Sequence, residues 1–519
     1  MFLEAYAFLI VGMIPFFKWQ QREEGRNVVA MLITGAFLVL WLITDTLPVT
    51  LDTTTTMVGC FALWMIASQF WNNSRQGSQD LFTWMVCLTI FFVGRRLPLD
   101  VILPIIFVPG FIFAAVGLYY YNETHPAKRW PIFGNSNHHG AFLLLPLFIG
   151  LYLTLNTSWW FAPFTVVIAL GLALSSCRGA QIAAITGLMY VACLQTPWLM
   201  ALIPAGMIGA WLMVRKERDH RHSSKQHRFS LIIAALMMIR KKPLAGYGLR
   251  TFRREYPAIV PELISHRLTK YFYARGTTIE SQNSHRVHND HLEIIVELGL
   301  IGYLLFISIF TSFSWFSPIL AGAIVAIAVD GLFFFPLREA HTAFPFWLLA
   351  GAMASTGAAT MAISPYFALI FILIVGRLIY GVAVKTIGLF YYDCSVKTPI
   401  TPNPEDEAGK RKLTEKQRYL DAAIRNDPYN NIYLTEGYYY NVFQHKEAAY
   451  QYASRCMENY DGGKVKWGIA DQYARALINL GGFGVAKMAL KYALHICPDF
   501  KQSRELMKQI EGMEQRATT

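Results

Sequence analysis

Residues 101–121, VILPIIFVPGFIFAAVGLYYY, decide the fold class. No charge interrupts the run, and a helix needs roughly 20 mostly apolar residues to cross a bilayer. Similar runs recur near 2–17, 28–46, 56–71, 80–94, 138–156, 159–175, 180–195 and 198–214. Four more follow near 291–313, 316–335, 342–360 and 364–384. The reading is all-α: a polytopic membrane helical bundle of about 12–13 spans. The first run has no basic leader and no small-residue cleavage site, so it reads as a retained span. Composition agrees. The chain is 54% hydrophobic and 15% charged with mean hydropathy +0.33, against about 25% charged in soluble domains. A wholly soluble protein is excluded.

The polar segments then stand out. Residues 215–290 carry 16 Lys/Arg against 6 Asp/Glu, most of the net charge of +12. A basic patch this dense beside a membrane implies an anionic partner: phosphate, lipid headgroup or nucleic acid. Inside it Phe229–Ile239 is apolar but too short to span, and reads as an interfacial helix broken by Pro243 and Gly246-Tyr247-Gly248. The domains are 1–214 (N-terminal spans), 215–290 (large basic loop), 291–386 (C-terminal spans), 387–412 (linker) and 413–519 (soluble and helical). In the last, Pro428 and Pro498 lie 70 apart, and Gly437, Ala449, Ala453, Ala474, Ala486 and Ala493 fall where paired helices would pack. The pattern resembles tetratricopeptide repeats.

Nine spans before Arg215 place 122–137, 176–179 and 215–290 on one side, and four more return the chain there. The basic loop and the smaller Lys18–Arg26 loop both conflict with the positive-inside rule. For the long loop we set the rule aside, because long loops translocate largely regardless of charge. The seven cysteines are scattered with no CxxC pair, so neither zinc nor a disulfide framework is indicated. The His220–His222–His227 cluster has no metal-ligand spacing.

Four constellations carry chemistry: Gly134-Asn135-Ser136-Asn137-His138-His139, Ser175-Ser176-Cys177-Arg178-Gly179-Ala180, Pro243-Leu244-Ala245-Gly246-Tyr247-Gly248, and His288-Asn289-Asp290-His291-Leu292-Glu293 running to Glu297, Gly299 and Gly302. With the later Asp330-Gly331, Phe335-Pro336-Leu337 and His341-Thr342, their order and spacing over 130–350 resemble the O-antigen ligase and polymerase family. Cys177 interrupts the usual Ser-Arg pairing, and many members lack the C-terminal repeats.

The resemblance implies a C-type glycosyltransferase-like bundle in the bacterial inner membrane, with the active-site loops and C-terminal domain periplasmic. It implies metal-independent transfer, with inversion and no cofactor, of a glycan from an undecaprenyl-pyrophosphate-linked donor. Acceptors are the lipid A core (lipopolysaccharide ligation), a growing polysaccharide, or a protein. Membrane lipids are partners and nucleic acid is not. The residues suit that reaction. An arginine fork holds phosphate oxygens and stabilises the leaving group, with Arg178 first and Arg286 next. A histidine takes the acceptor proton near neutral pH, and His288 is that base, oriented by Asn289 or Asp290. Arg254 and Asn137 complete the substrate-binding set. The plainer readings are that Asn137 caps a helix, that Gly246 and Gly248 only permit a turn, and that Glu293 and Glu297 pair with loop arginines. The repeats would present a concave face to a protein partner. Rivals of another class are a transporter and a non-catalytic scaffold for polysaccharide export.

Overall fold

The computed structural model describes residues 2–13, 48–50, 52–71, 77–123, 133, 135–195, 222–265, 286–311, 313, 317–354, 360–362, 407–426, 446–458, 467–496 and 501–518, with isolated positions between them. The spans expected near 28–46, 198–214 and 364–384, and the Lys18–Arg26 loop, lie wholly or mostly outside these residues. The chain forms two compact units. One comprises 1–228, 241–249 and 286–379, the other 229–240, 250–285 and 380–519.

The first unit is a helical bundle. Helix α1 (Phe2–Ala7) runs into a π turn. There follow α2 (Thr53–Trp71), α3 (Gly77–Gly94), α4 (Leu99–Tyr119), α5 (Ser136–Asn156), α6 (Ala162–Leu174) and α7 (Arg178–Gln195). Helix α8 (His222–Lys241) has residues in both units, and α9 (Phe252–Ser265) belongs to the second. The bundle resumes with α10 (Asp290–Thr311), α11 (Pro318–Asp330) and α12 (Ala340–Met353). Among the described residues α4, α5 and α10 are long and apolar enough to cross a membrane, and shorter apolar helices accompany them. The fold is all-α. A short antiparallel ribbon, β1 (Pro48–Thr50) on β2 (Thr360–Ala362), was not expected and does not change the class.

Helix α5 is the centre. It packs against α4, α6, α7, α11 and α12, and 78% of its apolar window is buried, against 50% for α4 and 44% for α10. Helices α3 and α12 cross backbone to backbone: Gly94 faces the Leu348 carbonyl and Gly351 that of Phe91. Small residues permit this approach in a membrane, where no apolar-against-water force drives helices together. Around the crossing, Trp84 meets Trp347 edge-to-face with centroids 6.1 Å apart, and Phe61 meets Trp84 at 5.5 Å.

Three boundaries differ from the sequence reading. The run expected to span 316–335 leaves the helix at Asp330, turns over 331–334, and makes a 3₁₀ turn at Pro336–Arg338. Pro336 has no N–H and disfavours a helical residue before it. Helix α8 has 20 residues where about 11 were expected, because its polar N-terminal residues include no proline or glycine to stop it. Helix α13 (Glu407–Asn426) starts inside the stretch read as linker. The prolines end at Pro404, and an acidic first residue followed by Ala, Lys and Arg favours a helix start.

Helix α10 is broken at Gly299 (φ 70°, ψ −177°). The break frees the carbonyls of Val296 and Glu297 and the N–H groups of Leu300 and Ile301, which an intact helix would pair with each other. The Pro243–Gly248 loop takes all four. Tyr247 N donates to Val296 O (2.9 Å) and Gly248 N to Glu297 O (2.7 Å). Leu300 N donates to Pro243 O (2.8 Å) and Ile301 N to Leu244 O (3.3 Å). The Leu298 carbonyl accepts from the Trp64 indole of α2 at 2.9 Å. Two segments that look independent in sequence are one hydrogen-bonded piece.

In the second unit α13 is followed by α14 (Lys446–Glu458), α15 (Trp467–Asn479), α16 (Phe483–Ile496) and α17 (Lys501–Thr518). A short turn with Gly481 at φ +81° joins α15 and α16. Ala449, Ala453, Ala474, Ala486 and Ala493 are each at most 1% exposed. Helix α9 packs on α16.

Candidate functional site

The 331–341 stretch is the hub of the first unit. Asn135 (φ −146°, ψ 133°) starts α5, its side chain accepting from Asn137 N at 2.8 Å. The cap is therefore Asn135. Asn137 already lies inside the helix, which corrects the capping expected of it. One residue on, His138 sits edge-on to Phe334 at 4.9 Å and lies 5.3 Å from the His341 ring. Helix α7 starts at Arg178 after Ser176 (φ +61°) and Cys177. Its Gly179 lies against Phe333 and Asp330, where an added Cβ would come within 3.1 Å and 3.2 Å. Burial pushes the Cys177 thiol up to about 12.

The fourth constellation docks on the same hub. Asn289 caps α10, accepting from Leu292 N at 2.9 Å, while its amide donates to Leu332 O at 3.1 Å. Asp290 is fully buried. Its N–H donates to Gly331 O (2.7 Å) and its carboxylate accepts from Leu337 N (2.8 Å). His291 is held at both ring nitrogens, donating to Ala328 O at 2.8 Å and accepting from Tyr303 at 3.1 Å. His288 takes a left-handed backbone (φ 58°) that costs a non-glycine residue about 1–3 kcal/mol, and its ring lies 5.2 Å from Phe335.

Under this loop lies a buried charge cluster. Arg286 bonds Glu293 (3.0 Å) and approaches Asp80 (3.4 Å), its guanidinium 6.0 Å from the Phe335 ring. Burial works to lower its pKa, yet Asp80, Glu293, Glu297 and Glu339 hold it well above the ordinary arginine value. Arg338, 3% exposed at its side chain, bonds Glu297 at 2.8 Å and reaches Asp80, Glu293 and Asp290 at 3.5–3.7 Å. The loop-arginine pairing expected of Glu293 is thus present, whereas Glu297 pairs with Arg338. Arg254 belongs to the second unit and bonds its neighbour Glu255 at 3.0 Å.

Arg178, Asn137, His288, Asn289 and Asp290 therefore all lie on segments that touch the 330–341 region, and Arg286 meets it at Phe335. Sequence reasoning missed Asp80, Arg338 and Glu339 as members and noted His341 only within its motif, with no role. The available signal was a pair of adjacent charges, Arg338-Glu339, inside an otherwise apolar region. Among the described residues one group of metal-ligand types is present: His138, Glu339 and His341 are all buried, with one donor atom from each within 4.8 Å of the others.

Fold and site define an integral membrane protein whose interhelical loops converge on a charged, aromatic-lined hub. Residues 136–307, a third of the chain, match the family model described as O-antigen ligase. The match supports glycan transfer of the ligase or polymerase type. No curated protein and no solved structure matches the chain.

Proposed function

We propose that the chain transfers a glycan from an undecaprenyl-pyrophosphate-linked donor to an acceptor on the periplasmic face of the inner membrane, as an O-antigen ligase or polysaccharide polymerase. The observation that carries this is the convergence of the α5 start, the α7 start and the His288 loop on one hub, with His288 held in a strained backbone beside it. In the proposed step His288 takes the acceptor hydroxyl proton as the oxygen bonds the anomeric carbon. The bond from that carbon to the pyrophosphate oxygen breaks on the opposite face, and its electron pair leaves with the pyrophosphate. Arg178, a cation at a helix start, stabilises the charge that develops there. Asn289 and Asp290 hold the loop carrying His288. The Arg286 guanidinium, bound to Glu293, supports the loop and is the second arginine proposed to meet the pyrophosphate.

A protein acceptor is the second reading. Helix α9, inside the family-matched stretch, packs on α16 of the C-terminal helices, so a helical surface of a peptide-binding kind adjoins the family segment.

The test uses purified full-length protein with an undecaprenyl-pyrophosphate oligosaccharide and three acceptors: lipid A core, a second carrier-linked unit, and a pilin-like protein. The expected result is glycan on one acceptor, lost in Arg178→Ala and reduced at least about 100-fold in His288→Ala. Wild-type rates in both variants would sink the enzyme reading.

A further inference from the structure

We propose that His138, Glu339 and His341 form a binding site for one divalent cation of the zinc class. The inference does not rest on the glycan-transfer reading. His138 enters from the start of α5, while Glu339 and His341 flank the start of α12, so the ligands come from two elements nearly 200 residues apart in sequence.

Three observations carry it. The donor atoms all lie within 4.8 Å of one another, and the His138 Nδ1 to Glu339 Oε2 separation is 3.9 Å. That is beyond hydrogen-bonding distance and leaves room for an ion between the two atoms. Around zinc at roughly 2.0–2.1 Å per ligand, tetrahedral donors sit about 3.3 Å apart. Closure therefore needs donor movements of about 1.5 Å at most, within the reach of side-chain rotation. Second, the site is closed. The three residues are 8%, 1% and 1% exposed, and Phe133, Phe334 and Phe335 lie against the imidazoles, at 4.6 Å (Phe133 to His341) and at 4.9 Å and 6.1 Å (Phe334 and Phe335 to His138). Third, the donor set is selective. Two imidazoles and one carboxylate suit zinc and its late first-row neighbours, whereas magnesium and calcium favour all-oxygen cages. Three protein ligands leave a fourth position for water or an anion oxygen.

The bound cation would tie the start of α5 to the start of α12 across the 331–339 hub. It takes no electron pair from the transfer step proposed above, so loss of glycan transfer and loss of cation binding are separable results.

The test uses the full chain in detergent, carrying an affinity tag without histidine, stripped with chelator and titrated with zinc chloride alone by calorimetry. We expect one equivalent per chain, weakened at least about 100-fold in Glu339→Gln and in His341→Gln, and unchanged when His220, His222 and His227 are replaced together by glutamine. X-ray absorption of the wild-type complex covers the case in which a ligand variant does not fold. Two imidazoles and one carboxylate oxygen at about 2.0–2.1 Å support the site, and a thiolate shell at about 2.3 Å overturns it. No bound equivalent in the wild type, or binding that moves with the His220 cluster and not with His341, also overturns it.

Discussion

Arg338 bonds Glu297 and approaches three further carboxylates with almost none of its side chain exposed. Taking one partner out of a buried ion cluster leaves charges stranded, at a cost of about 3–5 kcal/mol. Arg338→Met is therefore expected to lower the thermal midpoint of the detergent-solubilised protein clearly. Arg338→Lys should fall between, since a lysine keeps the charge but loses the fork. A midpoint equal to wild type in both would mean that the carboxylates find other partners. Cys177 makes a second residue-scale case. Its folded pKa lies above the ordinary thiol value of 9.0, so the stability it contributes is full below pH 9 and declines as pH rises toward 12. At pH 8 its thiol should resist iodoacetamide until the chain is unfolded, as read by peptide mass spectrometry. Labelling of the folded protein at the unfolded rate would contradict the burial. At this scale the sequence was legible where a residue sat in a motif, as with His288 and Arg178. Arg338 was not, because its pairing with Glu297 spans 41 residues and no local pattern encodes a pairing of that range.

Hydropathy located most of the first unit's described helices, which follow the long apolar runs that burial in lipid needs. The break in α10 escaped it. The run from 291 to 313 is apolar throughout, and only the backbone shows that Gly299 leaves the helix. That conformation belongs to a region open essentially to glycine alone, and the neighbouring backbone is the Leu244–Ala245 peptide, with no space for a Cβ. Gly299→Ala should therefore detach the 243–248 loop, faster exchange at the amides of Tyr247 and Gly248 being the signature by hydrogen–deuterium exchange. Gly59→Ala in α2, with nothing within 4 Å of an added Cβ, is the contrast and should leave exchange unchanged. Equal protection in both variants would mean the loop is held by something other than the four exchanged hydrogen bonds. The same chemistry explains why the two glycine motifs occur together. An added Cβ on Gly246 (φ +67°) would strike Glu297 O and Gly299 N, and one on Gly299 the Leu244–Ala245 peptide, so both positions must be glycine for the two segments to meet.

Across the whole molecule, parity and charge give opposite answers. Counting spans places the 215–290 loop and the C-terminal helices on the same side as the starts of α5 and α7. The 16 Lys/Arg between 215 and 290 would by themselves favour the cytoplasm. The structure adds a reason for function to hold part of that charge: Arg286 lies against Glu293 and Asp80 at the hub, so this cation is part of a built cluster and is not a free topology signal. The burial of Ala449, Ala453, Ala474, Ala486 and Ala493 was legible as helix packing, because small residues recur where helices meet. The packing of α9 on α16 was not, because it joins segments more than 200 residues apart. The proposed reading requires the hub, α9 and the C-terminal helices to face the periplasm together. Alkaline phosphatase fused after residue 519 should then be active in whole cells, and a green fluorescent protein at the same place dark. The reverse pair would put the C-terminal helices in the cytoplasm. Because α9 and α16 pack in one unit, it would carry the basic loop to the cytoplasm with them and remove the periplasmic acceptor from the mechanism, leaving the chain a cytoplasmic-face transferase or a scaffold.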